Sequence, residues 1–116
     1  MVEKERTRNF SWFLDKEEEN IVFVRFVFAP DGKGLEEFSV SYCNIVEGCF
    51  YEIVRYDCSG REAVHIHQFY RKPVAKRVLG KEKSFGTMAE FTALIEKNWR
   101  EYLQGYKEKR QTKGFI

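Results

Sequence analysis

Between residues 20 and 70 the chain is a succession of strand-forming segments joined by turns only a few residues long. Turns that short admit only antiparallel neighbours, because a parallel connection needs a crossover of a dozen residues or more. Residues 21–28, IVFVRFVF, are rich in β-branched and aromatic side chains and stop at Ala29-Pro30-Asp31-Gly32-Lys33-Gly34, where proline fixes φ and glycine tolerates a positive one. Residues 36–46 alternate, with Phe38, Val40 and Tyr42 on one side and Ser39, Ser41 and Cys43 on the other. Glu47-Gly48 reads as a tight turn, 49–57 as a strand, Ser59-Gly60 as a second turn and 62–70 as a further strand. A shorter strand over 10–14 precedes them, with the acidic residues 15–20 as its turn.

The remainder has a different period. Met88, Phe91, Ile95, Trp99 and Tyr102, with Leu94 and Leu103, recur at three- and four-residue intervals, which predicts an amphipathic helix over 87–104. Thr87 and Glu90 fit a capping box at its start, and Gly105 suits the residue just past its end. The expected architecture is α+β, a single domain over 1–116. A four- to five-stranded antiparallel meander carries one C-terminal helix on one face, and residues 105–116 form a frayed basic tail.

Turn lengths set the register, and register decides which side chains share a face. Matching apolar sides puts Phe26 opposite Phe38 and Val24 opposite Val40. A two-residue turn at Glu47-Gly48 puts Cys43 opposite Glu52 and Tyr42 opposite Ile53. The same turn length at Ser59-Gly60 puts Glu52 opposite His67, Ile53 opposite Ile66 and Val54 opposite His65. One face then gathers Val22, Val24, Phe26, Phe38, Val40, Tyr42, Ile53, Val64 and Ile66 for the helix to cover, with Arg55 and Asp57 near its edge. The opposite face gathers Phe23, Arg25, Ser39, Ser41, Cys43, Glu52, Val54, Tyr56, His65 and His67.

That second face holds most of the chemistry. His65 and His67 are two apart on a strand, so both imidazoles point the same way. As catalytic acid and base they would suit phosphodiester cleavage, with Arg25 and Tyr56 positioning the phosphate and Glu52 beside them. The same pair could chelate a metal if Glu52 or Cys43 supplied a third ligand. Arg71 and Lys72 open a cationic stretch before the helix that could hold an RNA backbone while Phe23 and Tyr56 stack on bases. No phosphate-cradling glycine loop, nucleophile elbow or zinc-finger spacing is present, and no cofactor is implied.

Charge is distributed unevenly. Residues 1–70 hold 8 Lys/Arg against 13 Asp/Glu, and residues 71–116 hold 12 against 5, so the basic third could meet a polyanion or the acidic part of a second copy. No apolar run nears the length of a membrane span, and the charged start MVEKERTRNF is unlike a secretory leader. A cytoplasmic protein with three reduced cysteines is expected, and its few Asn and Gln beside many Glu, Lys and Arg match a thermophile-like composition.

The sequence Val54-Arg55-Tyr56-Asp57, a short turn and then Val64-His65-Ile66-His67 resembles the TumE-like group of small prokaryotic toxin–antitoxin proteins, mainly over residues 50–104. In that group a strand ending in Arg-Tyr-Asp precedes a His-containing strand and a C-terminal helix. Cys58-Ser59-Gly60 here replaces the group's Asn-Ala type turn. The resemblance implies a toxin-like protein that acts on RNA and works with a small antitoxin partner, Asp57 being a motif residue that orders the turn. The alternative is a non-enzymatic homodimer formed through the uncovered face, burying Phe23, Val27 and Val54 between subunits.

Overall fold

The computed structural model describes residues 6–58, 62–69 and 75–114, the side chains of Ala75 and of residues 110–114 excepted. Six strands and a helix follow in order: β1 (Thr7–Phe13), β2 (Asn20–Phe28), β3 (Leu35–Val46), β4 (Cys49–Cys58), β5 (His65–Gln68), β6 (Ala75–Val78) and α1 (Phe85–Gly114). The strands form one antiparallel sheet in sequential order, an α+β meander with one strand more than expected. That strand, Ala-Lys-Arg-Val, is too short and too charged to show a strand pattern, and sequence reading leaves it inside a loop.

The β2–β3 register is the one apolar matching selects, with Val24 opposite Val40 and Phe26 opposite Phe38. At the next hairpin Glu47 and Gly48 have φ of 51° and 77°, the doubly positive geometry that suits the twist of two-residue hairpins. From there Cys43 lies opposite Glu52, but Tyr42 then faces Val54 rather than Ile53. Ile53 is an extra residue, a β-bulge, and every later side chain of β4 changes face. The bulge sends Val54, Tyr56 and Cys58 into the core, all 5% exposed or less, and turns Arg55 and Asp57 outward. The unbulged strand would have turned two charges toward the apolar face, where charge is costly to bury.

The β4–β5 register also departs from expectation. Asp57 pairs with His65, Tyr56 with Ile66, Arg55 with His67 and Val54 with Gln68. The connection is therefore longer than a two-residue turn; Ser59-Gly60 itself lies outside the described residues.

Helix α1 covers the apolar face with Phe91, Ile95 and Trp99. Phe91 stacks on Tyr56 at 4.2 Å between ring centroids, and Trp99 meets the Tyr42 ring edge-on at 6.1 Å. The helix starts earlier than the capping box suggests. Ser84 is the cap: its Oγ accepts from the Thr87 amide at 3.1 Å, and its carbonyl accepts from Met88. Nor does it stop at Gly105. It continues to Gly114, with Tyr106 packed against the core and Lys109 Nζ donating to the Phe69 carbonyl at 2.9 Å. These contacts offset the cost of about 1 kcal/mol for a glycine within a helix, and the basic tail is helical as far as Gly114.

Candidate metal centre on the uncovered face

Cross-strand partners point to the same side of a sheet. The rows Arg25, Ser39, Asp57, His65 and Phe23, Ser41, Arg55, His67 therefore lie on the face away from α1. The two histidines have the orientation their spacing requires. The residues beside them are not those expected: Arg55 and Asp57, brought over by the Ile53 bulge, replace Val54 and Tyr56.

The geometry is compact. His65 Nε2 lies 2.6 Å from Asp57 Oδ1 and 2.9 Å from His67 Nε2, and the latter lies 3.9 Å from the same Oδ1. These side chains are 3%, 16% and 17% exposed for His65, Asp57 and His67, so the cluster is enclosed on one side and reachable on the other. His65 Nδ1 is 2.8 Å from the Ala63 carbonyl oxygen. A carbonyl can only accept, so Nδ1 carries a proton and Nε2 is the ring nitrogen that faces Asp57. A lone pair and a carboxylate oxygen do not rest 2.6 Å apart unless a positive centre, a proton or a metal ion, lies between them.

Further residues hold the carboxylate. Arg55 Nε donates to Asp57 Oδ2 at 2.6 Å, and its Nη1 donates to Glu52 Oε1 at 2.7 Å. Ser41 Oγ donates to Glu52 Oε2 at 2.8 Å. Oδ2 is thus occupied and Oδ1 is directed at the imidazoles. The His67 ring lies parallel to Phe69 at 5.8 Å, and the Arg55 guanidinium stands 5.4 Å from the centre of the same ring. Burial, and then Arg55, lower the pKa of His67, outweighing the opposite pull of Asp57. The neutral imidazole is the form that ligates metals.

The other expected site residues lie elsewhere. Tyr56 is buried against Phe91 on the helix side, with its hydroxyl 3.4 Å from that of Tyr102, so it cannot position a ligand on the open face. Arg25, on β2 and two strands from Asp57, pairs with Glu37 at 2.9 Å. Glu52 contributes through Arg55 and does not reach the imidazoles. Cys43 is buried, and burial together with Glu52 pushes its thiol up to about 12, which leaves it neither nucleophile nor ligand. Arg71 and Lys72 lie outside the described residues. Asp57, read from sequence as a motif residue that orders the turn, is the third member of the cluster; its Arg-x-Asp spacing repeats the His-x-His spacing of the partner strand.

A family model described as Domain of unknown function (DUF7718) matches residues 1–112. The chain belongs to that family. Comparison with the curated proteins and with the solved structures gave no match.

One oxygen and two nitrogen donors lie within 4.8 Å of one another. A tetrahedral zinc ion about 2.0–2.1 Å from each donor spreads its donors roughly 3.3–3.4 Å apart. The sides of the Asp57–His65–His67 triangle, 2.6, 2.9 and 3.9 Å, bracket that spacing, so sub-ångström side-chain shifts would complete the ligand set. The Ala63 carbonyl on His65 and Arg55 on Asp57 are the outer contacts that fix tautomer and orientation in metal sites.

Proposed function

We propose that this DUF7718 protein binds one divalent transition-metal ion, of the zinc or iron(II) class, through Asp57 Oδ1, His65 Nε2 and His67 Nε2. A single observation carries the reading: His65 Nδ1 is committed to the Ala63 carbonyl at 2.8 Å, so the three remaining donor atoms turn toward one point. Two imidazoles and a carboxylate suit these ions better than magnesium or calcium, which prefer oxygen.

The same geometry weighs against two histidines acting alone as acid and base on RNA. Both Nε2 atoms face each other at 2.9 Å, whereas that chemistry needs them free at opposite ends of a phosphodiester. An RNA-directed, toxin-like role with an antitoxin partner would run through the bound ion. Of the three residues named for a homodimer face, Val27 and Val54 are already buried within one copy, at 3% and 0% exposure.

The test is calorimetric titration of the metal-free chain with Zn2+ and Co2+. One ion per chain is expected, with affinity reduced at least about a hundredfold in Asp57→Asn and His67→Ala, in line with the weight of individual metal ligands and their supports. Equal affinity in the wild type and both variants would refute the assignment.

A further inference from the structure

Three protein donors leave a zinc-class ion short of a tetrahedral set. Structural zinc sites close with four protein ligands, whereas sites that do chemistry keep a position for water or substrate. Among the described residues no fourth His, Cys, Asp or Glu joins the cluster. Residues 59–61 (Ser-Gly-Arg) and 70–74 (Tyr-Arg-Lys-Pro-Val), which lie outside the described residues, are none of these types, and Glu62 pairs with Lys76.

Arg55 supplies the second half of the argument. Its Nε is committed to Asp57 and its Nη1 to Glu52, while no described residue accepts from Nη2. The side chain is 32% exposed, so part of it is open to solvent. The guanidinium does not swing freely, because two carboxylates and the Phe69 ring hold it. Since Nε bonds one oxygen of Asp57 and the other oxygen is a ligand, the guanidinium stands roughly 5–6 Å from the ion position. A metal–oxygen bond of about 2 Å, an oxygen–oxygen edge of about 2.5 Å and a hydrogen bond of about 2.8 Å span that gap.

Resting on the metal reading above, we infer that the fourth position takes a phosphate group, one oxygen bound to the ion in place of water and a second accepting from Arg55 Nη2. Arginine's planar fork matches a tetrahedral oxyanion as a lysine ammonium does not. An ion and an arginine on one phosphate recur wherever proteins polarise phosphoryl groups.

The experiment uses the full chain saturated with Co2+, whose visible absorption reports its ligand set. Separate arms add inorganic phosphate, phenyl phosphate and a short oligoribonucleotide, to distinguish a free phosphate, a monoester and a polymer phosphodiester as the source. A saturable change in the cobalt bands is expected with at least one arm, its midpoint raised about tenfold or more in Arg55→Lys, also measured at saturating Co2+. Cobalt bands that form but ignore all three arms would overturn this inference and leave the metal reading standing. Absence of cobalt bands would overturn both. An unchanged midpoint in Arg55→Lys would remove Arg55 from the phosphate site.

Discussion

Replacing Asp57 with asparagine changes one oxygen for an amide nitrogen and little else in shape. Both carboxylate oxygens are engaged at 2.6 Å, Oδ1 with His65 Nε2 and Oδ2 with Arg55 Nε. With a proton between Nε2 and Oδ1, whichever way the amide turns one of these contacts sets donor against donor, and the charge holding both is gone. Hydrogen bonds to charged groups contribute roughly 1.5–3 kcal/mol each. His65, 3% exposed, should keep about 2 kcal/mol of that, while Arg55, a third exposed, is screened to about 1 kcal/mol. The expected loss is about 3 kcal/mol from a total of roughly 5–15 kcal/mol, read as a fall of about 1–2 M in the urea midpoint at unchanged slope. Repeating the melt with metal at about a hundred times the wild-type dissociation constant should add roughly 2.7 kcal/mol to the wild type and at most about 0.4 kcal/mol to a variant that binds a hundredfold more weakly. A variant within about 0.5 kcal/mol of wild type, or one that metal stabilises as much as the wild type, would show that Asp57 does not hold this cluster together.

Three further perturbations test the scaffold. Glu47 adopts a φ of 51° in the β3–β4 turn, so Glu47→Asn, creating the preferred Asn-Gly pair, should stabilise by about 0.5–1 kcal/mol in urea unfolding; a loss would refute the turn geometry. Ser84→Ala removes the acceptor of the Thr87 amide and should cost about 1 kcal/mol, whereas Thr87→Ala, if Thr87 were the cap, would cost the more. Above pH 9 the unfolded chain loses the Cys43 proton that the folded chain retains up to about 12. Stability should then fall with rising pH in that window, and more steeply in the wild type than in Cys43→Ala; identical slopes would contradict the burial argument.

Much of this fold is legible from residue patterns, and the reasons for the gaps are local. Alternation in β3 and apolar matching with β2 place Phe38, Val40 and Tyr42 correctly because only one register buries both sets. The helix stripe is clear because Phe91, Ile95 and Trp99 keep helical spacing. The bulge at Ile53 is invisible because Ile53 and Val54 are both apolar and both buried, at 0% exposure, so neither parity looks wrong. That one residue decides the site: it sends Tyr56 to the helix and brings Asp57 to the histidines. The β4–β5 register was hidden by a Ser-Gly pair resembling a tight turn inside a longer connection. Strand β6 offers four residues with no apolar alternation. His65 and His67 survive these errors because β5 is read on its own parity, with Ile66 pointing to the core.

The most direct measurement is nitrogen-15 NMR of the histidine rings in the full chain, before and after one equivalent of Zn2+. Nε2 of both His65 and His67 should shift to the metal-bound range while His65 Nδ1 keeps its proton on the Ala63 carbonyl. Metal bound through a δ nitrogen of His65, or rings unmoved by zinc, would contradict it.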